Sequence, residues 1–214
     1  MIPQNQRSET WRKWRQDKIG ASDSSAIMGV GFKSIGQLFD EKLGLRPPEE
    51  ENEAMARGNA LEEEARSAFE KETGLSVFPM VCVNAELPWQ IASMDGMTIE
   101  KDIAVEIKCP GVRTIQRIME EGIPKYYIPQ LQHQMAVTGL NKIWFYAYYK
   151  SDNGATILTN LQEIDRDDLY IAILIEREKF FMDILERGRR TIKEYEETMD
   201  ILKSDLYLFL EENE

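Results

Sequence analysis

Histidine occurs once in this 214-residue chain and cysteine twice, and that scarcity removes several kinds of chemistry at the outset. A lone His133 argues against a histidine-built metal site and against a Ser-His-Asp hydrolase. Cys82 and Cys109 fall in different strand-like stretches with no Cys-x-x-Cys or Cys/His ligand spacing. Neither a zinc site nor a disulfide scaffold is therefore indicated, and both thiols suit a reducing cytoplasm. No apolar run approaches the roughly 20 residues a membrane-spanning helix needs. Residues 1–7 are polar and contain no apolar leader core, so a cytoplasmic protein with no membrane partner is expected. Also missing are a GxGxxG after a strand and a GxxxxGK[ST] loop, which argues against a doubly wound nucleotide-binding fold.

The length fits one domain, residues 1–214, large enough to bury a core without staples, and 43% hydrophobic residues mark it as globular. Its net charge is -12. Phosphate-binding proteins usually present basic surface, yet the acidic excess here is unevenly spread. Lys+Arg against Asp+Glu is 8 to 5 over residues 1–46, 3 to 12 over 47–100, 7 to 4 over 101–150 and 8 to 17 over 151–214. Two basic segments thus alternate with acidic ones, and the total does not exclude a nucleic-acid partner.

Trp11 and Trp14 with Arg12, Lys13 and Arg15 predict a short basic helix, and Ile19-Gly20-Ala21-Ser22-Asp23 a turn in which Ser22 or Asp23 caps a second helix. Past Pro47-Pro48 and an acidic linker, Leu61, Ala65, Ala68 and Phe69 share one face of a helix over 54–73, ended by Gly74. Strands are predicted over 77–83, 90–94 and 97–99, with Asp95-Gly96 read as a turn. Alternation over 103–108 puts Ile103, Val105 and Ile107 on one face and Glu106 and Lys108 on the other. Helices over 114–121 and 125–138, strands over 143–149 and 155–161, and long amphipathic C-terminal helices complete an α/β arrangement, a mixed central sheet flanked by helices.

Phosphodiester hydrolysis is very slow uncatalysed, and a general acid or base contributes only about 100- to 10,000-fold. A divalent ion held by carboxylate and carbonyl oxygens supplies the remainder, by neutralising phosphate charge and activating water. The sequence offers such ligands: Asp95 ends one strand, Glu106 lies on the next, and Lys108 shares the face of Glu106 about 7 Å further along. In this scheme Asp95, Glu106 and the Ile107 carbonyl hold the ion and Lys108 positions or helps deprotonate water. Read locally, Asp95-Gly96 serves equally as a hairpin turn, and Glu106 with Lys108 as a solvent-facing pair on a half-buried strand. Trp144, Tyr146, Tyr148 and Tyr149 read as core and sheet surface, and His133 as a residue facing solvent or DNA.

Five stretches in order resemble the motifs of the phage lambda-type exonuclease family of the PD-(D/E)XK nuclease superfamily. They are Arg15 with Ile19-Gly20-Ala21-Ser22-Asp23, Arg57-Gly58-Asn59-Ala60-Leu61-Glu62-Glu63-Glu64-Ala65-Arg66, Ser93-Met94-Asp95-Gly96, Glu106-Ile107-Lys108-Cys109-Pro110, and Tyr127-Ile128-Pro129-Gln130-Leu131-Gln132-His133-Gln134-Met135. The resemblance covers about residues 11–150. It implies a restriction-endonuclease-like core acting with Mg2+, or Mn2+ as a substitute, on linear double-stranded DNA ends. Digestion would run 5′→3′, releasing mononucleotides and leaving 3′ single strands for a single-strand annealing protein. A homotrimer in a bacterial or phage-infected cell is implied too. By position it assigns metal binding to Asp95, Glu106 and Glu62, water activation to Lys108, the 5′ phosphate or DNA to Arg15, Ser22 and Ser93, and a place beside the active site to Gln130. Helical geometry borders the apolar stripe with both Glu62 and Glu64, and the stripe of Ile128, Leu131 and Met135 lies closer to Gln132 than to Gln130. For Arg15 an ordinary surface role is the plain alternative. An endonuclease on the same core and a catalytically inactive DNA-binding recombination scaffold are the competing functions.

Overall fold

Short polar side chains fix where the first helices begin. Ser8 accepts the Trp11 N–H and starts α1 (Glu9–Gln16), and Asn52 accepts the Met55 N–H to start α4 (Glu53–Thr73), which Gly74 ends at φ 75°. The computed structural model in which these contacts occur describes residues 8–47 and 52–211. The polar start at 1–7 and the acidic linker at 48–51, on both of which sequence expectations rest, lie outside the described residues. Between the two helices the sequence reading found a single helix, whereas the chain forms β1 (Ile19–Gly20), a 3-10 turn at Ala21–Asp23, α2 (Ser24–Ile27) and α3 (Ile35–Leu43). A capping box opens α3: Ser34 accepts the Gln37 N–H and the Gln37 side chain accepts the Ser34 N–H.

Six strands make one mixed sheet. β2 (Phe78–Val83) runs antiparallel along one edge of β3 (Gln90–Met97); β1, parallel, and β4 (Ala104–Lys108), antiparallel, share the other edge of β3. β5 (Lys142–Lys150) then joins β4 in parallel and β6 (Ile157–Asp165) closes the order β1-β3-β4-β5-β6. The parallel step needs a crossover, supplied by α5 (Val112–Glu121), a 3-10 turn at Lys125–Tyr127 and α6 (Ile128–Thr138). One helix, α7 (Asp168–Glu211), fills the C-terminal region where several were expected.

Helices cover both faces, so the strands are buried on both sides. Against one face α4 sets Ala65 and Phe69 on Val77, Val105, Ile107, Tyr146 and Tyr148. Against the other, Ile115 and Ile118 of α5 and Leu131 and Met135 of α6 meet Ala92, Met94, Ala104, Ile143 and Phe145. A third cluster, from Ile19 and Ile27 to Leu38, Phe181 and Leu185, joins the N-terminal segment to α7. Tyr146 and Tyr148 are thus core residues, as expected. Alternation in β4 holds, but the face carrying Glu106 is roofed by α6, and Glu106 is only 2% exposed.

Candidate active site

Asp95-Gly96 is not a turn. β3 runs through it, and the pairing of Phe78 with Met97 but Met80 with Met94 sets three residues of β3 against two of β2 at this point. That extra residue is a bulge, which re-aims side chains and bends the strand. Glycine is required by space, because a Cβ on Gly96 would lie 2.7 Å from Val77 Cγ2 and 2.8 Å from Val105 Cγ1. β3 and β4 pair only at Gly96 with Val105 and Met97 with Ala104. Beyond those pairs the Asp95 carboxylate takes the place of a ladder acceptor: its Oδ2 receives the Ile107 N–H at 2.8 Å.

Glu106 faces α6 across this fork. Gln130 Nε2 donates to its Oε1, Gln134 Nε2 to its Oε2, and the Lys108 ammonium stands at 2.5 Å from Oε1. Sequence reading named Gln130 but missed Gln134, although residues four apart on one helix share a face. Gln132 lies elsewhere: its amide donates to the Asp165 carbonyl and accepts the Asp167 N–H. Glu62 and Glu64 have different partners as well. Glu62 binds Arg66, whose Nε donates to the Asp95 carbonyl at 2.7 Å, whereas Glu64 turns to Tyr148 and Lys150.

The electrostatics are strained in one direction. Burial first, then the charges of Glu106 and Glu62, push the Asp95 carboxyl well above the usual carboxylate range, against the pull of Lys108 and the Ile107 N–H. Burial disfavours the Lys108 ammonium, yet Glu106 and Asp95 outweigh it and raise the amine above its ordinary value. The Lys108 charge also lies 5.4 Å from the Tyr127 ring centre. Burial first, then the charges of Asp95 and Glu62, push the neighbouring Cys109 thiol up to about 12, which leaves it inert as a nucleophile.

Among the described residues no three His, Cys, Asp or Glu side chains are gathered so as to hold a metal ion. Both Glu106 oxygens are taken by the two glutamines and the lysine, so the carboxylates stand within electrostatic reach without facing a common point. The donor set, carboxylates and strand carbonyls that repel one another, nonetheless suits a hard divalent cation. Deep beside Glu106, the Gln134 Oε1 has no hydrogen-bond partner.

On the segment around β1, Arg15 donates to Ser22 Oγ at 2.6 Å and pairs with Asp23 at 3.0 Å. The structure thus joins Arg15 and Ser22 directly, with Asp23 as a second partner of the guanidinium; Asp23, one of the two expected caps, stands at the N-cap position of α2 without a side-chain cap bond. The Asp23 side chain accepts the Gly20 N–H and binds Lys42, which also donates to the carbonyls of Lys18 and Arg15. Although burial opposes it, Arg15 and Lys42 hold the Asp23 carboxyl well below the usual range. Gly20 leaves room for the guanidinium, since a Cβ there would meet it at 2.7 Å. Ser22 is exposed and Ser93 half-buried on β3; among the described residues no hydrogen bond ties Ser93 to Arg15 or Ser22. Lys42 carried no local signal in the sequence.

His133 is the clear correction. It is wholly buried, with Nδ1 2.7 Å from Glu178 Oε1 and Nε2 3.0 Å from the Ile91 carbonyl, and faces neither solvent nor DNA.

Comparison with known proteins adds the following. The family model described as YqaJ-like viral recombinase domain matches residues 10–141. The uncharacterized protein YqaJ of Bacillus subtilis (strain 168) is 29% identical over 186 residues, which are 85% of this chain and 57% of that protein. The chain therefore spans little more than half the length of this relative. Among solved structures, the alkaline exonuclease LHK-Exo of Laribacter hongkongensis is similar with a TM-score of 0.74 and 29% identity, over 90% of this chain and all of that one. LHK-Exo has also been solved in complex with dAMP, and that structure matches with a TM-score of 0.73 over the same shares. A phage related exonuclease from Haemophilus somnus 129PT, at 15% identity and a TM-score of 0.57 over 83% of this chain and 96% of that one, shares the fold. No helix among the described residues is long and apolar enough to cross a membrane.

Proposed function

The chain belongs to the YqaJ-like viral recombinase family, and we propose that it is a divalent-metal-dependent nuclease that digests linear duplex DNA from its 5′ ends. Its alkaline-exonuclease-like architecture supports a nuclease role. The observation that carries the reading is the fork between β3 and β4, where Asp95, Glu106, Glu62 and Lys108 come within mutual electrostatic reach.

Asp95, Glu106, Glu62 and the Ile107 carbonyl would hold Mg2+, or Mn2+ in its place, which when bound supplies Lewis-acid charge and lowers the pKa of water. The chain's own residues do the rest. Gln130 and Gln134 grip the two Glu106 oxygens and fix their direction. Lys108, kept charged by its carboxylate neighbours, orients the attacking water and one phosphate oxygen by donating hydrogen bonds. Arg15 and Ser22 receive a terminal 5′ phosphate, the guanidinium being pre-set by Asp23 and the space above Gly20. A terminal-phosphate pocket serves an enzyme that starts at ends. The dAMP complex of LHK-Exo accords with release of mononucleotides here. Leaving 3′ single strands to a single-strand annealing protein, and working as a homotrimer, complete the proposal.

The test is gel analysis of duplex digestion with magnesium. Linear DNA with a 5′ phosphate should be degraded fastest, 5′-hydroxyl ends more slowly, and covalently closed circles not at all. Lys108→Ala should lower the rate by at least about 100-fold, the scale of a lost proton-handling or oxyanion group. Rapid cutting of closed circles would make the chain an endonuclease. Intact DNA in every lane would leave a DNA-binding scaffold.

A further inference from the structure

We propose that His133 works as a buried imidazolium whose bridge to Glu178 positions α6, and thereby Gln130 and Gln134, over Glu106. His133 lies one residue from Gln134 and three from Gln130, but its ring turns to β3 and α7. Hydrogen-bond inventory fixes the protons. The Ile91 carbonyl can only accept, so Nε2 carries a hydrogen; an ionised Glu178 can only accept, so Nδ1 carries the second. A neutral ring has one N–H and cannot serve both.

A protonated Glu178 is the alternative, and its other partners oppose it. Ser24 Oγ donates to Oε1 at 3.2 Å, and Gln90 Nε2, fixed as a donor because Asn84 donates to the Gln90 Oε1, donates to Oε2 at 2.5 Å; an ionised carboxylate accepts both together with the His133 N–H. Ser24, Gln90, His133 and Glu178 are all 0% exposed, which leaves the pair screened from bulk water. The next charge is Asp23, which favours the cation and is itself held by Arg15 and Lys42. Burial disfavours the charged ring, but Glu178 outweighs it and raises its pKa.

The bridge touches each part of the site without entering it. Ser24 follows Asp23 in the Arg15 segment, Ile91 lies four residues before Asp95, and α6 is the roof of Glu106. A buried ion pair gains little net stability, but any packing that separates its partners leaves an uncompensated buried charge. Here the packing it selects is the register of α6 on the sheet. Glu178 and His133 are positioning residues; neither touches substrate.

Because His133 is the single histidine of the 214 residues, this chain without a tag and labelled with 15N-histidine reports on it alone. Both ring nitrogens should remain protonated at about pH 7.5, well above the half-charge point near pH 6.5 of a free ring. A neutral ring at that pH overturns the proposal. In E178Q the ring should become neutral and the Gln130 and Gln134 side-chain amide signals should shift. The kinetic part rests on the nuclease reading: kcat should fall roughly 10- to 100-fold with KM for DNA ends unchanged. Unmoved amides with unchanged kcat in folded E178Q would overturn the positioning role. If E178Q does not fold, Ser24→Ala, which removes one donor to Glu178, gives the same readouts with smaller changes. Should the unaltered chain prove inert on DNA, the nuclease reading falls, while the ring and amide signals still decide this one.

Discussion

At the scale of single residues, Asp95 carries opposing demands. The proposed chemistry needs its charge, while burial and two nearby carboxylates penalise that charge. With its pKa raised in the folded state, the native chain keeps a proton that the unfolded chain has released. Stability therefore declines as pH rises from the ordinary carboxylate range through the raised value, and above it the penalty is complete. Asp95→Asn removes the charge but keeps an oxygen for the Ile107 N–H. It should melt at a higher temperature than the unaltered chain at neutral pH in chelator, with a flatter pH dependence, and show no turnover; a lower melting temperature would refute the account. Function is held here at a cost in stability. Sequence could not resolve this scale. Glu62 and Glu64 border the stripe equally, and only the contacts of Arg66 and Lys150 separate them. His133 misled because a polar residue on a helix reads as surface unless its distant acceptor, 45 residues away in Glu178, is known.

At the scale of elements, the strands bearing the site were legible because their alternation is local, and β4 lies where period two put it. The bulge was not legible. Asp-Gly is favoured in hairpin turns, and here the same pair is chosen because β2, β3 and β4 leave no volume for a side chain. Gly96→Ala should lower stability by roughly 1–3 kcal/mol through overpacking against Val77 and Val105. By shifting β3 it should also reduce turnover at temperatures where the protein is fully folded. Denaturant unfolding and a rate measured well below the midpoint would check both, and an unaffected rate would mean that Asp95 is placed by other contacts.

Over the whole molecule, the layered α/β design and the helical C-terminal region could be read from pattern, whereas the merging of that region into one helix could not. α7 has 44 residues, about 66 Å at the helical rise. Up to residue 200 its last buried residue is Leu185, and Gly188 passes close to Phe39 and Leu43. Between residues 191 and 200 no side chain is buried. Residues 191–214 hold 2 basic and 8 acidic side chains, half of the net -12. Ending the chain after Arg190 should leave the melting temperature within about 3 °C, and should strengthen DNA binding at low salt more than at high salt, because like-charge repulsion is screened by ions. Binding titrations at two ionic strengths would test it; equal affinity for both lengths would sink the prediction.

Glu178 also sets an order on synthesis. Ser24, Gln90 and His133 leave the ribosome long before their shared partner does. Until α7 emerges, a nascent chain lacks the carboxylate that those three groups share, and with it the contact proposed above to hold α6 in register over Glu106.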